Sequence, residues 1–392
     1  MVSEKMLALG TTRSCIRELF EYGLKQAAIV GAENVFDYSL GNPSIPSPTG
    51  VNEAIIDIVK NESSLAVHGY TSAPGYNGVR EAVAADLTSR FGMEIKPSNL
   101  FFTCGAAPAL CSVLKALSVE DSEIIAIAPF FPEYRPFVEN SGNKFVVVPA
   151  DTESFQINFE ALASLVSPKT QAVIINSPNN PSGVVYTEET IKKLGEILTA
   201  KSVEYGHPIY IISDEPYREL VYGGVTVPFV PAIYKNTIIC YSYSKSLSLP
   251  GERIGYVCVP DCAEDSAMVF AAVAGAARVL GHVCPPSLLQ RVIAKCATLQ
   301  PDLEAYDRNR RLLLDNLTEY GYKVAKPDGA FYLFIKAPGG SSKDFSEKAK
   351  QKNLLVVPGD DFGCPEYFRI CYCIDYDKIK RSLPVFKELI EE

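Results

Sequence analysis

Thr237-Ile238-Ile239-Cys240-Tyr241-Ser242-Tyr243-Ser244-Lys245 is a β-branched and aromatic run that closes on hydroxyls and a lysine, and Arg253 follows eight residues later in Glu252-Arg253-Ile254-Gly255-Tyr256. The first six residues have no polar alternation, which is the pattern of a strand buried on both faces. Similar runs recur at Asn99–Thr103, Glu123–Ala128, Lys144–Pro149, Gln171–Asn176, Pro208–Asp214 and Arg253–Val259. Amphipathic helical stretches such as Ala106–Leu117, Phe159–Val166 and Glu188–Lys201 lie between them. Strands alternating with helices predict an α/β unit with a seven-stranded, mostly parallel sheet between helices. Ligands of such sheets sit at the carboxyl ends of the strands, where Lys245 falls.

The ends of the chain read differently. The stretch 14–28 is an amphipathic helix capped by Ser14, and Gly41-Asn42-Pro43-Ser44-Ile45-Pro46-Ser47-Pro48 is an extended connector rich in helix breakers. After Pro285-Pro286, helices run through Leu317, strand-like runs occupy 330–336, 354–358 and 367–374, and a last helix starts at Tyr376. A smaller α+β domain built from both termini is expected. The boundaries expected are 1–45 for the arm and part of that domain, 46–284 for the large domain and 285–392 for the C-terminal part.

Composition narrows the function. The 392 residues are 47% hydrophobic and 21% charged, with a net charge of −9, as in an ordinary globular enzyme. Clustered basic residues are missing, which argues against nucleic acid or an anionic membrane as partner. The N-terminus lacks a signal-peptide core and no run is long enough to span a bilayer, so a cytoplasmic protein is expected. Eleven cysteines without Cys-x-x-Cys, lying mostly in apolar runs, read as buried free thiols, and His68, His207 and His282 have no ligand spacing. No metal is expected.

A lysine that forms an imine with a phosphorylated aldehyde needs a rigid strand end to aim it, and hydroxyls with a guanidinium to hold the phosphate. Lys245, Ser242, Ser244 and Arg253 meet that description, although a lysine after serines is more often an ordinary loop residue. Asp214 ends the strand Ile209–Asp214 and is placed to pair with the nitrogen of a pyridine ring; alone it would read as a turn or cap residue. Asn176-Ser177-Pro178-Asn179-Asn180-Pro181-Ser182-Gly183 is a tight turn at the same sheet edge, where Asn180 can donate to a phenolate oxygen. Thr103-Cys104-Gly105-Ala106-Ala107 passes from strand to helix through small residues that let an anion reach free backbone N–H groups. Neither Gly-x-Gly-x-x-Gly nor a phosphate-binding Gly-Lys-Ser/Thr loop occurs.

In order and combination these motifs resemble the fold-type I, pyridoxal 5′-phosphate-dependent aminotransferases of class I/II, the aspartate aminotransferase-like family, from Gly41-Asn42-Pro43 to Arg369. The resemblance implies that Lys245 holds the cofactor and moves the substrate proton, with its activation expected from the imine and nearby positive charge. Asp214 would pair with the ring nitrogen, and Asn180 and Tyr217 with the 3′-oxygen. Gly105, the Ala106 and Ala107 amides, Ser242, Ser244 and Arg253 would hold the phosphate. It further implies that Phe131 stacks on the ring in a chain without tryptophan, that Tyr70 reaches the phosphate of a neighbouring subunit in a homodimer, and that Arg369, with Gly41 and Asn180, grips the substrate carboxylate. Some relatives acting on aspartate carry a lysine where this chain has Ala107, so the amino acid served stays open. The activity implied moves an amino group between an L-amino acid and a 2-oxo acid by a ping-pong mechanism. The rivals are a β-lyase or decarboxylase on the same cofactor, and a non-catalytic sensing module, which lacks the basic N-terminal DNA-binding region it would need.

Overall fold

The computed structural model describes residues 1–11 and 15–391. Ser14, the expected cap of the first long helix, lies outside them; the helix itself spans Cys15–Val30. The strands are β1 (Phe36–Asp37), β2 (Leu100–Thr103), β3 (Glu123–Ile127), β4 (Lys144–Val148), β5 (Thr170–Asn176), β6 (Tyr210–Asp214), β7 (Thr237–Ser242), β8 (Gly255–Cys258), β9 (Tyr332–Lys336), β10 (Leu354–Leu355), β11 (Val357–Pro358) and β12 (Tyr367–Cys371).

Seven of them form one sheet in the order β2-β8-β7-β6-β5-β3-β4. Strands β4, β3, β5, β6 and β7 are parallel, and β8 is reversed, pairing antiparallel with both β2 and β7. Strands β3, β6 and β7 are buried along their whole length, as their uninterrupted apolar runs require. The two sheet faces carry separate apolar cores. One places Leu110, Val113 and Ile174 with Phe270 and Val273 of the helix Ser266–Val279; the other places Ile125, Val173 and Ile211 with Ile191 and Leu194 of the helix Glu188–Tyr205.

The topology brings the chemistry to one edge. In the parallel strands Asn176 lies opposite Asp214, and Asp214 opposite Cys240, so β5, β6 and β7 finish together. The reversed β8 starts where they end, with Gly255 paired to Ser242 on one side and Thr103 on the other. Arg253, two residues before β8, therefore arrives beside the ends of β2 and β7.

Both termini build the second layer. β1 pairs in parallel with β10, and β11, β12 and β9 form an antiparallel sheet. The expected single strand over 354–358 is thus two short ones with different partners. Leu19 of the first long helix joins Val35, Leu355, Val357 and Phe362 in one apolar cluster.

Candidate active site

Lys245 sits on a single helical turn, Tyr243–Ser246, whose cap is Ser242 at the end of β7: Ser242 Oγ accepts from the Ser244 N–H at 3.2 Å. Its ammonium donates to the Gly41 carbonyl at 2.7 Å and lies 5.4 Å from the Phe331 ring centroid. A side chain at position 41 would collide with Tyr332, so glycine permits this close approach. Burial lowers the Lys245 pKa to about 8; Arg253 and Arg369 push the same way, opposed by the thiols of Cys373 and Cys371. Desolvation, rather than neighbouring charge, is the larger cause of that lowering.

Asp214 is buried at the end of β6. Its Oδ2 accepts from the Tyr134 hydroxyl at 2.5 Å, while Oδ1 has no hydrogen-bond partner among the described residues. Burial raises its pKa to about 7, Glu215 adds to the rise, and the Tyr134 bond opposes it. An orphaned buried carboxylate oxygen calls for a donor, and a protonated ring nitrogen is one. Asn176, at the end of β5, donates to the Asp214 carbonyl at 2.8 Å and accepts the Asn180 N–H at 2.7 Å, linking the Asn-Pro turn to the acid.

The end of the cavity at Gly105 and Arg253 is equally ordered. Gly105, with φ of 93°, precedes the helix Ala106–Ala116, whose first turn has no side-chain cap. A Cβ at Gly105 would lie 2.7 Å from an Arg253 nitrogen, so the glycine keeps a cradle open between the helix N-terminus and the guanidinium. Ser242 Oγ and Ser244 Oγ are 2.8 Å apart, and Arg253 donates to Ser244 Oγ at 3.4 Å and to the Pro250 carbonyl at 3.0 Å. Arg253 holds φ of 53°, an unfavourable backbone region for a residue with a side chain.

Arg369, on β12, is 2% exposed. It donates to Asn180 Oδ1 at 3.0 Å and to the Ser39 carbonyl, and stacks on Tyr332 with its guanidinium carbon 4.7 Å from the ring centroid. None of these partners is a carboxylate, and its Nε has no partner among the described residues, so the guanidinium keeps its charge for an incoming anion. Tyr217 bonds the Tyr332 hydroxyl at 2.9 Å.

One cavity of about 300 Å³ gathers Gly41, Ala106, Ala107, Phe131, Asn180, Asp214, Tyr217, Ser242, Ser244, Lys245, Arg253 and Arg369. Gly105 adjoins it, one residue before Ala106. Tyr70 is elsewhere: it does not line the cavity and is 91% exposed. Sequence reasoning passed over Asn176, Tyr134 and Tyr332, as well as Ile16, Leu40, Leu110 and Phe137 on the same wall. Tyr134 lies three residues beyond Phe131, a spacing that on a helical turn would have placed it near the same ligand.

The profile of the family described as "Aminotransferase class I and II" matches residues 33–384. The chain belongs to that family. It is 30% identical to aromatic-amino-acid aminotransferase 2 of Thermococcus litoralis, covering 96% of this chain and 95% of that one. It is 29% identical to aspartate aminotransferase of Pyrococcus abyssi, with the same coverage. A crystal structure of an aminotransferase from Eubacterium rectale shares 55% identity at a TM-score of 0.98, covering 100% of this chain and 98% of that one. Aspartate aminotransferase of Thermotoga maritima has 27% identity and a TM-score of 0.86 over the whole of both chains. The protein is an aminotransferase, of a family that works with pyridoxal 5′-phosphate.

Proposed function

We propose that this aminotransferase binds pyridoxal 5′-phosphate in the cavity and that Lys245 is its catalytic residue. The observation carrying the reading is the pairing, at the ends of adjacent strands, of a half-buried lysine with a lowered pKa and a buried aspartate with one unpartnered oxygen. Asp214 takes the ring nitrogen, Asn180 and Tyr217 the 3′-oxygen, and Phe131 the ring face. Gly105, the Ala106 and Ala107 amides, Ser242, Ser244 and Arg253 take the phosphate. Arg369, positioned by Asn180, Tyr332 and the Ser39 carbonyl, grips the substrate α-carboxylate, with Asn180 and Gly41 beside it in the same cavity.

When bound, the cofactor supplies a protonated ring that accepts the electron pair left at the substrate α-carbon. Lys245 removes the α-proton as general base and returns it as general acid, aimed by its capped helical turn. Arg369 fixes the substrate so that this proton faces the lysine. The amino group is carried over to a 2-oxo acid in a second half-reaction, giving ping-pong kinetics.

Tyr70, 91% exposed, fits a role across a homodimer interface, where it would reach the partner's phosphate site. No helix of the described residues is long and apolar enough to cross a membrane, in keeping with a cytoplasmic enzyme. As for independent units, 1–45, 46–284 and 285–392 remain our division, with one adjustment: the helix Ser287–Cys296 packs its Leu289, Val292 and Ile293 with Val51, Ile58 and Val83, so a boundary after Cys296 suits the packing better.

The test is reconstitution of the cofactor-free protein with pyridoxal 5′-phosphate. A visible band that an L-amino acid bleaches, with stoichiometric release of its 2-oxo acid, is expected. Release of carbon dioxide or of a sulfur fragment instead would establish a decarboxylase or β-lyase.

A further inference from the structure

The chain that follows β6 divides its side chains between two surroundings. Asp214, Pro216 and Tyr217 line the cavity, whereas Glu215, Arg218 and Glu219 lie outside it and are buried. Charges held out of water need partners. Glu215 takes the Arg218 guanidinium, and Glu219 Oε1 accepts from Arg90, near the end of the helix Asn77–Phe91, at 3.0 Å. Glu219 Oε2 lies 2.8 Å from the Tyr241 hydroxyl, which in turn lies 2.9 Å from Ser246 Oγ. An ionised carboxylate only accepts, so the single phenol proton goes to Glu219 and the Ser246 hydroxyl donates to the phenol oxygen. The Tyr241 ring is itself fixed: it stacks on Tyr256 of β8 with centroids 5.0 Å apart, and the Arg218 guanidinium carbon lies 4.9 Å from its centre.

We infer that Glu219 and Tyr241 are positioning residues for Lys245, acting through Ser246; this rests on the role proposed for Lys245 above. The helix Tyr243–Ser246 is a single turn, too short to hold its own orientation. At its start the Tyr243 N–H donates to the Ile254 carbonyl at 3.1 Å and Ser242 Oγ caps the Ser244 N–H. At its end Ser246, the residue after Lys245, is tied to Tyr241 and so to the buried charges behind the sheet. Freeing that end lets the lysine drift, and a misplacement of about 1 Å can cost on the order of 10²-fold in rate. Stability accounts for the chain of bonds less well. Phenylalanine and alanine would fill the places of Tyr241 and Ser246 with no hydroxyl left to satisfy, and such paired replacements are nearly neutral.

The test is the half-reaction of the cofactor-loaded protein with an amino acid that bleaches its visible band. Tyr241→Phe keeps the stacked ring and removes only the hydroxyl, and Ser246→Ala removes its partner. Each is expected to slow bleaching at saturating amino acid roughly tenfold, with the half-saturating concentration within about twofold of the unaltered protein's. The isotope effect with α-deuterated substrate should grow, because proton transfer then limits the rate. The double variant should be no slower than the slower single one, because both substitutions break the same link. Unchanged saturating rates, a loss confined to the melting temperature, or losses that multiply in the double variant would overturn the inference and leave the aminotransferase reading standing. An unaltered loaded protein whose band no amino acid changes would overturn both.

Discussion

The floor and the wall of the cavity are built on different principles. The floor is a row of strand ends: Asn176, Asp214, Ser242 and Lys245 end or follow β5, β6 and β7, and Gly105 and Arg253 flank the antiparallel pair β2 and β8. Hydrogen-bond register fixes their spacing before any side chain is chosen. The wall has no such frame. Ile16, Leu40, Gly41, Tyr332 and Arg369 come from both ends of the chain, and single contacts tie it to the floor, such as Lys245 to the Gly41 carbonyl and Arg369 to Asn180. A rigid floor suits a group whose chemistry does not vary, and an assembled wall suits a substrate that does. Floor substitutions should damage the reaction for every substrate, and wall substitutions should change how one is held.

The largest expected effect tests the floor. Lys245→Ala removes the base of this cradle and should lower turnover by at least about 10³-fold with every amino acid tried. Substantial turnover by this variant would break the comparison at its strongest point.

A second floor prediction concerns stability. With Asp214 raised to about 7 in the folded chain, the folded state binds a proton that the unfolded state has released, so stability falls as pH rises from about 4 to about 7. Lys245, lowered to about 8, has the opposite sign: its contribution is full above the ordinary lysine range and is lost as pH falls toward about 8. The cofactor-free protein should therefore be least stable between about pH 7 and 8, where the buried Asp214 and the half-buried Lys245 are both charged. The fall on the acid side is on the order of 4 kcal/mol for a group this buried. Thermal melting across pH should show the trough, loading with pyridoxal 5′-phosphate should fill it, and Asp214→Asn should abolish its acid limb.

The wall is sharpened by Arg369→Lys. A point charge cannot reproduce the planar fork that bonds Asn180 and the Ser39 carbonyl and stacks on Tyr332, so kcat/KM should drop by roughly 10- to 100-fold. The cofactor band and its pH dependence should not move, because Arg369 belongs to the wall. A shifted band would show that floor and wall are not separable.

The same contrast governs what could be read in the chain. The seven strands of the large sheet lie within two residues of the expected bounds, because uninterrupted apolar runs between breakers leave little choice. The floor residues, Asn176 apart, were legible as the polar or glycine residues at which those runs end. Arg369 was legible only through family resemblance, since its burial depends on contacts 189 and 330 residues away. The helix Ser266–Val279 is alanine-rich and apolar around most of its circumference, so no single apolar stripe announces it, and the two-residue strand β1 carries no pattern at all. Ile16 and Leu40 are ordinary apolar residues whose place on the wall exists only once both ends of the chain have folded onto the sheet.

The smallest effect probes the floor residue that strand-end logic missed. Tyr134 contributes nothing but a hydroxyl to Asp214, and Tyr134→Phe keeps the ring that packs edge-on against Phe131 at 5.7 Å. Any change it causes therefore reports on the hydrogen bond. A donor to the charged carboxylate favours ionisation, so its loss should raise the Asp214 pKa further and move the acid limb of the stability trough upward by about one to two pH units. In the loaded enzyme as proposed, a protonated ring nitrogen beside Asp214 would favour its ionised form, so activity at about pH 8 should fall only a few-fold. If the limb stays in place while the protein is uniformly destabilised, Tyr134 acts through packing alone. A shifted limb with activity nearly preserved would make Tyr134 the residue that keeps Asp214 ionised while the site awaits its cofactor.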